Sequence, residues 1–199
     1  MKKLLLGFAF LFLGALAVSA QNDTVCVGST GVSYWVSGMA GSTFSWTVNG
    51  GTQASGTNTD SITVDFLSTT GIDTIEVVET DSNGCIGDPV KLAVVRMPLP
   101  DATISNAAAL CFSDSTTLTV TLTGTFPWDL TYDDGSGNQV VSITTSPYTI
   151  NTGSLTASKS YTLVKVEDRL GCFSNLSGTG TASTVTVFPK VVTPSIQHN

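Results

Sequence analysis

The spacing of four cysteines constrains this chain more than any other feature. The interval from Cys26 to Cys85 is nearly the interval from Cys111 to Cys172. The step from Cys26 to Cys111 likewise matches the step from Cys85 to Cys172. Such regularity is the mark of one module of about 86 residues used twice. Neighbouring residues agree. Val25-Cys26-Val27-Gly28-Ser29 parallels Leu110-Cys111-Phe112-Ser113-Asp114, and Asp81-Ser82-Asn83-Gly84-Cys85 parallels Asp168-Arg169-Leu170-Gly171-Cys172. Trp46 follows Cys26 at a similar interval to that by which Trp128 follows Cys111. An even number of cysteines in an exported chain reads as disulfides. The spacing selects Cys26–Cys85 and Cys111–Cys172, one bridge inside each copy, each stabilising by about 4 kcal/mol in the chain-entropy account.

Export is read from the N-terminus. Met1-Lys2-Lys3 is a positive start, Leu4 to Val18 is apolar, and Val18-Ser19-Ala20 supplies the small residues that signal peptidase accepts. An apolar run of about 15 residues is short for a bilayer that needs about 20. The expected leader is therefore 1–20, cleaved before Gln21, followed by a first domain over 21–98, a second over 99–189 and a tail over 190–199. Pro98-Leu99-Pro100 reads as a short stiff linker.

The net charge of −7 becomes −9 once Lys2 and Lys3 leave, because six basic residues then face 15 acidic ones. That balance repels nucleic-acid phosphates. Charged residues are only 12% and Glu occurs three times, which excludes a coiled coil or a helical bundle. Alternation is the dominant pattern. Leu118, Val120 and Leu122 interleave with threonines, and so do Val185 and Val187; Ile62, Val64 and Phe66 interleave with Thr63 and Asp65. Such runs are half-buried strands. Turns come from Asn49-Gly50-Gly51, Ser82-Asn83-Gly84 and Asp134-Gly135-Ser136-Gly137. The expected fold is all-β: two tandem β-sandwich domains, with Trp46 and Trp128 packed on their cores.

Val-Cys-Val-Gly-Ser at 25–29, Phe-Ser-Trp-Thr-Val at 44–48, Ser-Ile-Thr-Val-Asp-Phe at 61–66 and Asp-Ser-Asn-Gly-Cys at 81–85 resemble PKD-like, immunoglobulin-like repeats. Such repeats abound in secreted and cell-surface proteins of Bacteroidetes. Residues 117–132 and 168–172 resemble a sister repeat. The resemblance covers about 21–190. It implies an immunoglobulin-like sandwich and a secreted or cell-surface location, with the periplasm as the other exported compartment. It implies roles as spacer, adhesin or binding module.

Catalytic residues are not expected. The single histidine, His198, lies next to the C-terminus, where nothing would hold it as a base beside a nucleophile. Carboxylate pairs such as Asp133-Asp134, or Glu76 with Glu79, read as solvated faces. Asp133-Asp134-Gly135-Ser136-Gly137-Asn138 is rich in oxygen but lacks the ordered spacing of a calcium loop, so it reads as a tight turn. Zinc would need clustered Cys or several His; neither metal nor cofactor is expected. Tyr34 and Trp35 are the candidate ligand-facing aromatics, because adjacent strand residues point to opposite faces.

Thr193-Pro194-Ser195-Ile196 resembles Asp101-Ala102-Thr103-Ile104, a segment leading the second copy that has no counterpart ahead of Cys26. Head-to-tail self-association by strand addition is one expectation from this likeness, with Pro194 counting against it as a missing donor. The leading expectation is a non-catalytic, exported structural or adhesion protein, contacting other surface proteins or polysaccharide. A carbohydrate-binding module is the second reading.

Overall fold

The computed structural model describes residues 22–105 and 109–198. The expected leader over 1–20 lies outside the described residues. Seven strands form the first module: β1 (Asn22–Cys26), β2 (Val32–Trp35), β3 (Thr43–Asn49), β4 (Gly51–Ser55), β5 (Ser61–Phe66), β6 (Gly71–Thr80) and β7 (Val90–Met97). Ten form the second: β8 (Ala102–Ile104), β9 (Leu110–Cys111), β10 (Thr117–Leu122), β11 (Trp128–Asp133), β12 (Asn138–Ile143), β13 (Tyr148–Asn151), β14 (Lys159–Asp168), β15 (Phe173–Asn175), β16 (Ala182–Val185) and β17 (Val187–Phe188). No helix long and apolar enough to cross a membrane occurs among the described residues.

The first module packs the sheet β1-β7-β6-β3 on the sheet β2-β5-β4. The second packs β8-β10-β13 on β12-β11-β14-β15, with β16 also paired to β14 and a short β17-β9 pair beside them. Both are immunoglobulin-like sandwiches. In each, the strand ending in the first cysteine runs parallel to the last strand: β1 to β7 and β9 to β17. The other ladders among the described residues are antiparallel. Among the described residues no strand of one module pairs with a strand of the other.

Alternation places the core. On β10, Leu118, Val120 and Leu122 are buried while the threonines between them are exposed. They join Trp128, Leu130, Tyr161, Leu163 and Val166 in the second core, whereas Ile62, Val64, Phe66, Ile75 and Val94 form a smaller first core. Each such side chain contributes roughly 1.5–3 kcal/mol by leaving water. The first module also buries a charge pair. Asp73 and Arg96 lie on the inward faces of β6 and β7, with their side chains 0% and 8% exposed and Arg96 Nε 2.9 Å from Asp73 Oδ2. Arg96 Nη1 also donates to the Thr69 carbonyl. Gly50 admits this pair: its φ is +97°, and a Cβ there would stand 2.0 Å from Asp73 Oδ1.

The modules differ at two edges. β4 pairs with β5, but its counterpart β12 pairs with β11. β10 is paired on both sides, by β13 and β8, whereas β2 is paired only by β5 among the described residues.

The cysteine pairing corrects the expectation drawn from spacing. Cys26 is bonded to Cys172 in the other module, with a Cα–Cα distance of 5.5 Å and a sequence separation of 146. Cys85 and Cys111 are exposed free thiols. Strand polarity explains why. Cys26 sits beside Met97, at the far end of β7, whereas Cys85 sits in the turn before β7 begins at Val90. Seven residue steps at about 3.4 Å put the two about 24 Å apart, and a disulfide requires Cα atoms within about 7 Å. The long strand β14 separates Cys111 from Cys172 in the same way. The lower end of the first module instead meets the upper end of the second.

Candidate functional site

Short polar turns place the sulfurs at the junction. After Cys26 the chain reverses through Gly28 at φ +74°, whose N–H donates to the Leu67 carbonyl at 2.9 Å. Cys172 closes the β14–β15 turn. One carboxylate oxygen of Asp168 accepts the N–H groups of Leu170 and Cys172, at 2.9 and 3.1 Å. Its other oxygen accepts the Thr125 N–H at 3.2 Å. The Ser174 hydroxyl donates to the Pro100 carbonyl at 2.6 Å, pinning the linker to β15. An open cleft of about 670 Å³ remains between the modules, lined by Val27, Leu99, Gly171, Phe173 and Asn175 among others.

The two candidate aromatics divide. Tyr34 points inward, edge-on to Phe66 with ring centroids 6.3 Å apart, and its hydroxyl donates to Asp23 at 2.9 Å. Burial, then the Asp23 hydrogen bond and charge, pushes its phenol well above the usual range. It therefore packs, half-buried, against the first core. Trp35 does face out, 73% exposed, beside a groove of about 470 Å³ shared with Val36, Phe44, Val77 and Val90. Of the expected core aromatics, Trp128 is buried, with its indole N–H donating to the Thr123 carbonyl at 3.0 Å. Trp46 is half-buried against the first core and donates to the Thr59 carbonyl at 2.8 Å.

The carboxylate pairs are occupied by structure. Glu76 binds Lys91 at 2.9 Å, and Glu79 accepts the Met39 N–H at 2.8 Å. In the β11–β12 turn, Asp133 accepts the N–H of Gly135 at 2.7 Å, while Asp134 accepts both the N–H and the hydroxyl of Ser136. Lys159 binds Asp134 at 2.8 Å, and this bond, followed by those from Ser136, holds the Asp134 carboxyl well below the usual range. Three of the four carboxylate oxygens of Asp133 and Asp134 are thus engaged by the turn or by Lys159. No group of three or more His, Cys, Asp or Glu that could hold a metal ion occurs among the described residues. His198 lies exposed in the tail.

Sequence reasoning missed the Asp73–Arg96 pair and the partnership of Cys26 with Cys172. The first had a faint signal. Arg96 shares the phase of Val94 in the alternation, which puts a charged residue on the inward face.

Residues 14–94 match the family described as a PKD-like domain. No curated protein matches the sequence. Among solved structures, an I-band fragment of titin is similar with a TM-score of 0.51 at 12% identity, over 83% of this chain and 62% of that one. The chain thus spans less than two thirds of that fragment. The fibronectin(III)-like modules of Clostridium thermocellum CbhA have a TM-score of 0.39 at 14% identity, over 93% of this chain and 98% of that one. The Yersinia pseudotuberculosis adhesin InvE has a TM-score of 0.29 at 14% identity, over 83% and 56%. The titin likeness speaks for fold alone, and with the PKD-like match over the first module it makes this an all-β chain of two tandem immunoglobulin-like modules.

Proposed function

We propose that the protein is a non-catalytic, exported structural or adhesion component of the cell surface, presenting a stiff two-module unit to other surface proteins or to polysaccharide. The observation that carries this reading is the clamp between the modules. A disulfide, a proline-flanked linker and the Ser174–Pro100 bond hold two sandwiches end to end, an arrangement that serves length and rigidity rather than the closure of a cleft around a substrate. A disulfide also favours an oxidising compartment, in keeping with a leader over 1–20. Deleting the gene and scoring surface attachment and surface fibres tests the proposal; wild-type attachment and an unaltered surface defeat it.

The exposed Trp35 favours the second reading, carbohydrate binding, because a flat indole beside an apolar groove is a stacking surface for a sugar ring. Depletion of the purified protein by insoluble polysaccharide, lost in Trp35→Ala, would support it.

A further inference from the structure

The junction between the modules is built from two halves, and each half has a second, unused copy. The lower half is Cys26 with its turn. Its equivalent is Cys111: Ser29 N–H donates to the Cys26 carbonyl as Asp114 N–H donates to the Cys111 carbonyl, and Gly28 and Ser113 hold φ at +74° and +70°. Cys26 pairs with Met97 as Cys111 pairs with Phe188. The upper half is Cys172 in its hairpin, and its equivalent is Cys85. Asp168 N–H donates to the Cys172 carbonyl at 2.8 Å and Asp81 N–H donates to the Cys85 carbonyl at 3.0 Å. The Asp81 carboxylate accepts the Cys85 N–H as that of Asp168 accepts the Cys172 N–H. One lower half and one upper half are joined. The other two stand at opposite ends of the chain with free, exposed thiols. Apolar side chains crowd both ends: Phe112 and Phe188 below, 39% and 57% exposed, and Ile86 above, 76% exposed.

A second feature repeats the same way. In the second module Ala102 and Ile104 are 1% and 5% exposed where β8 lies along β10. Residues 190–198 carry no strand, and Ile196, at the place corresponding to Ile104, is 100% exposed. The first module's β2 offers the matching vacancy. Val36 N–H donates to the Asp60 carbonyl, so by alternation Ser33 and Trp35 direct their backbone groups to the side where no described strand pairs. Pro194 is no obstacle. It corresponds to Ala102, whose N–H donates to the neighbouring Asp101 carboxylate at 2.8 Å, while Asp101 and Ser105 bond across to Thr123 and Thr119. A proline at that place removes no bond to the partner strand.

We infer that a second copy of this chain docks on each end, repeating the internal junction: Cys111 of one copy bonds Cys85 of the next, and residues 193–196 of the first lie along β2 of the second. The contact is heterologous and generates an open head-to-tail polymer. The bond forms by thiol–disulfide exchange with a small-molecule or protein disulfide as oxidant. The Cys85 thiolate attacks that disulfide and expels one thiol; the Cys111 thiolate then attacks the mixed disulfide at Cys85 and expels the second. Two protein thiols are oxidised to one disulfide, and one oxidant disulfide is reduced to two thiols.

The test uses the full chain after export, incubated with oxidised and reduced glutathione and followed by non-reducing electrophoresis and peptide mapping. The expected result is a ladder whose cross-linked peptide joins Cys85 to Cys111, with Cys26–Cys172 intact. Cys85→Ser and Cys111→Ser each stay monomeric, and mixing the two variants gives dimers carrying the Cys85–Cys111 bond, about tenfold or more above like-with-like products. Ile196→Asp slows ladder growth about tenfold without shifting monomer unfolding, as loss of the strand contact requires. A chain that stays monomeric, statistical mixtures of like and unlike bonds, or bridges mapping to Cys26–Cys85 and Cys111–Cys172 overturn the inference. The inference deepens the structural role proposed above, yet monomers in vitro would leave the deletion phenotype free to stand or fall by itself.

Discussion

Replacing Arg96 by Met tests how the first module tolerates its buried charge pair. The change keeps most of the apolar stem and removes the guanidinium 2.9 Å from Asp73. Asp73 then remains with 0% of its side chain exposed and no cation beside it. Breaking a buried pair from one side costs about 3–5 kcal/mol, most of it the uncompensated charge. A domain of this size is stable by about 5–15 kcal/mol, so the loss is a large share of the total. At about 4–8 °C per kcal/mol, the lower bound lowers the melting temperature of the first module by about 12–24 °C. Adding Asp73→Val removes the orphaned charge and restores stability to within about 1 kcal/mol of wild type. Urea unfolding followed by tryptophan fluorescence reads this directly. With Trp35 and Trp128 changed to Phe, Trp46 is the remaining tryptophan of the three, and it packs against the first core. A single-variant loss below about 1 kcal/mol, or a double variant no better than the single, refutes the reasoning.

Cys26→Ser removes the clamp, which closes a loop worth about 5 kcal/mol in the chain-entropy account, and small-angle scattering broadens as the modules swing about Pro98–Pro100; an unchanged profile contradicts the clamp. Leu130→Ala deletes a fully buried side chain and costs the second module about 2–5 kcal/mol, read by urea unfolding at Trp128 in a chain with Trp35 and Trp46 changed to Phe. Lys159→Met raises the Asp134 carboxyl toward its ordinary range, as followed by carbon-13 NMR. Because that carboxyl is depressed in the folded chain, its contribution is present above the unfolded value and fades as pH falls through the folded one.

Much of the fold was legible because burial and strand period coincide. The alternations at Leu118 to Leu122 and Ile62 to Phe66 became the inner faces of β10 and β5. The same rule separated Tyr34 from Trp35, although which of them faced inward depended on the register of β2 against β5, which no local pattern encodes. The cysteines were misread for a definable reason. Their spacing reports a duplication, but a bond depends on which end of a strand each sulfur occupies, and that is set by strand length and direction. The Asp73–Arg96 pair was hidden because its members are 23 positions apart and meet only when β6 and β7 form their hairpin. The unfilled edge of β2 became visible only beside its filled counterpart in the second module.

The Cys26–Cys172 bond also decides how this chain behaves under tension. A pull applied near residue 22 and near residue 188 enters at β1, crosses the sulfur bridge and leaves through β15, β16 and β17. Everything between Cys26 and Cys172, a sequence separation of 146, hangs off that line as a slack loop that bears no load. Most of both hydrophobic cores is thereby shielded, with Val185 of β16 the buried core residue on the loaded side. The extensible part is only the few residues before Cys26 and the short strands after Cys172, so the unit acts as a tether of nearly fixed length until the bridge is reduced.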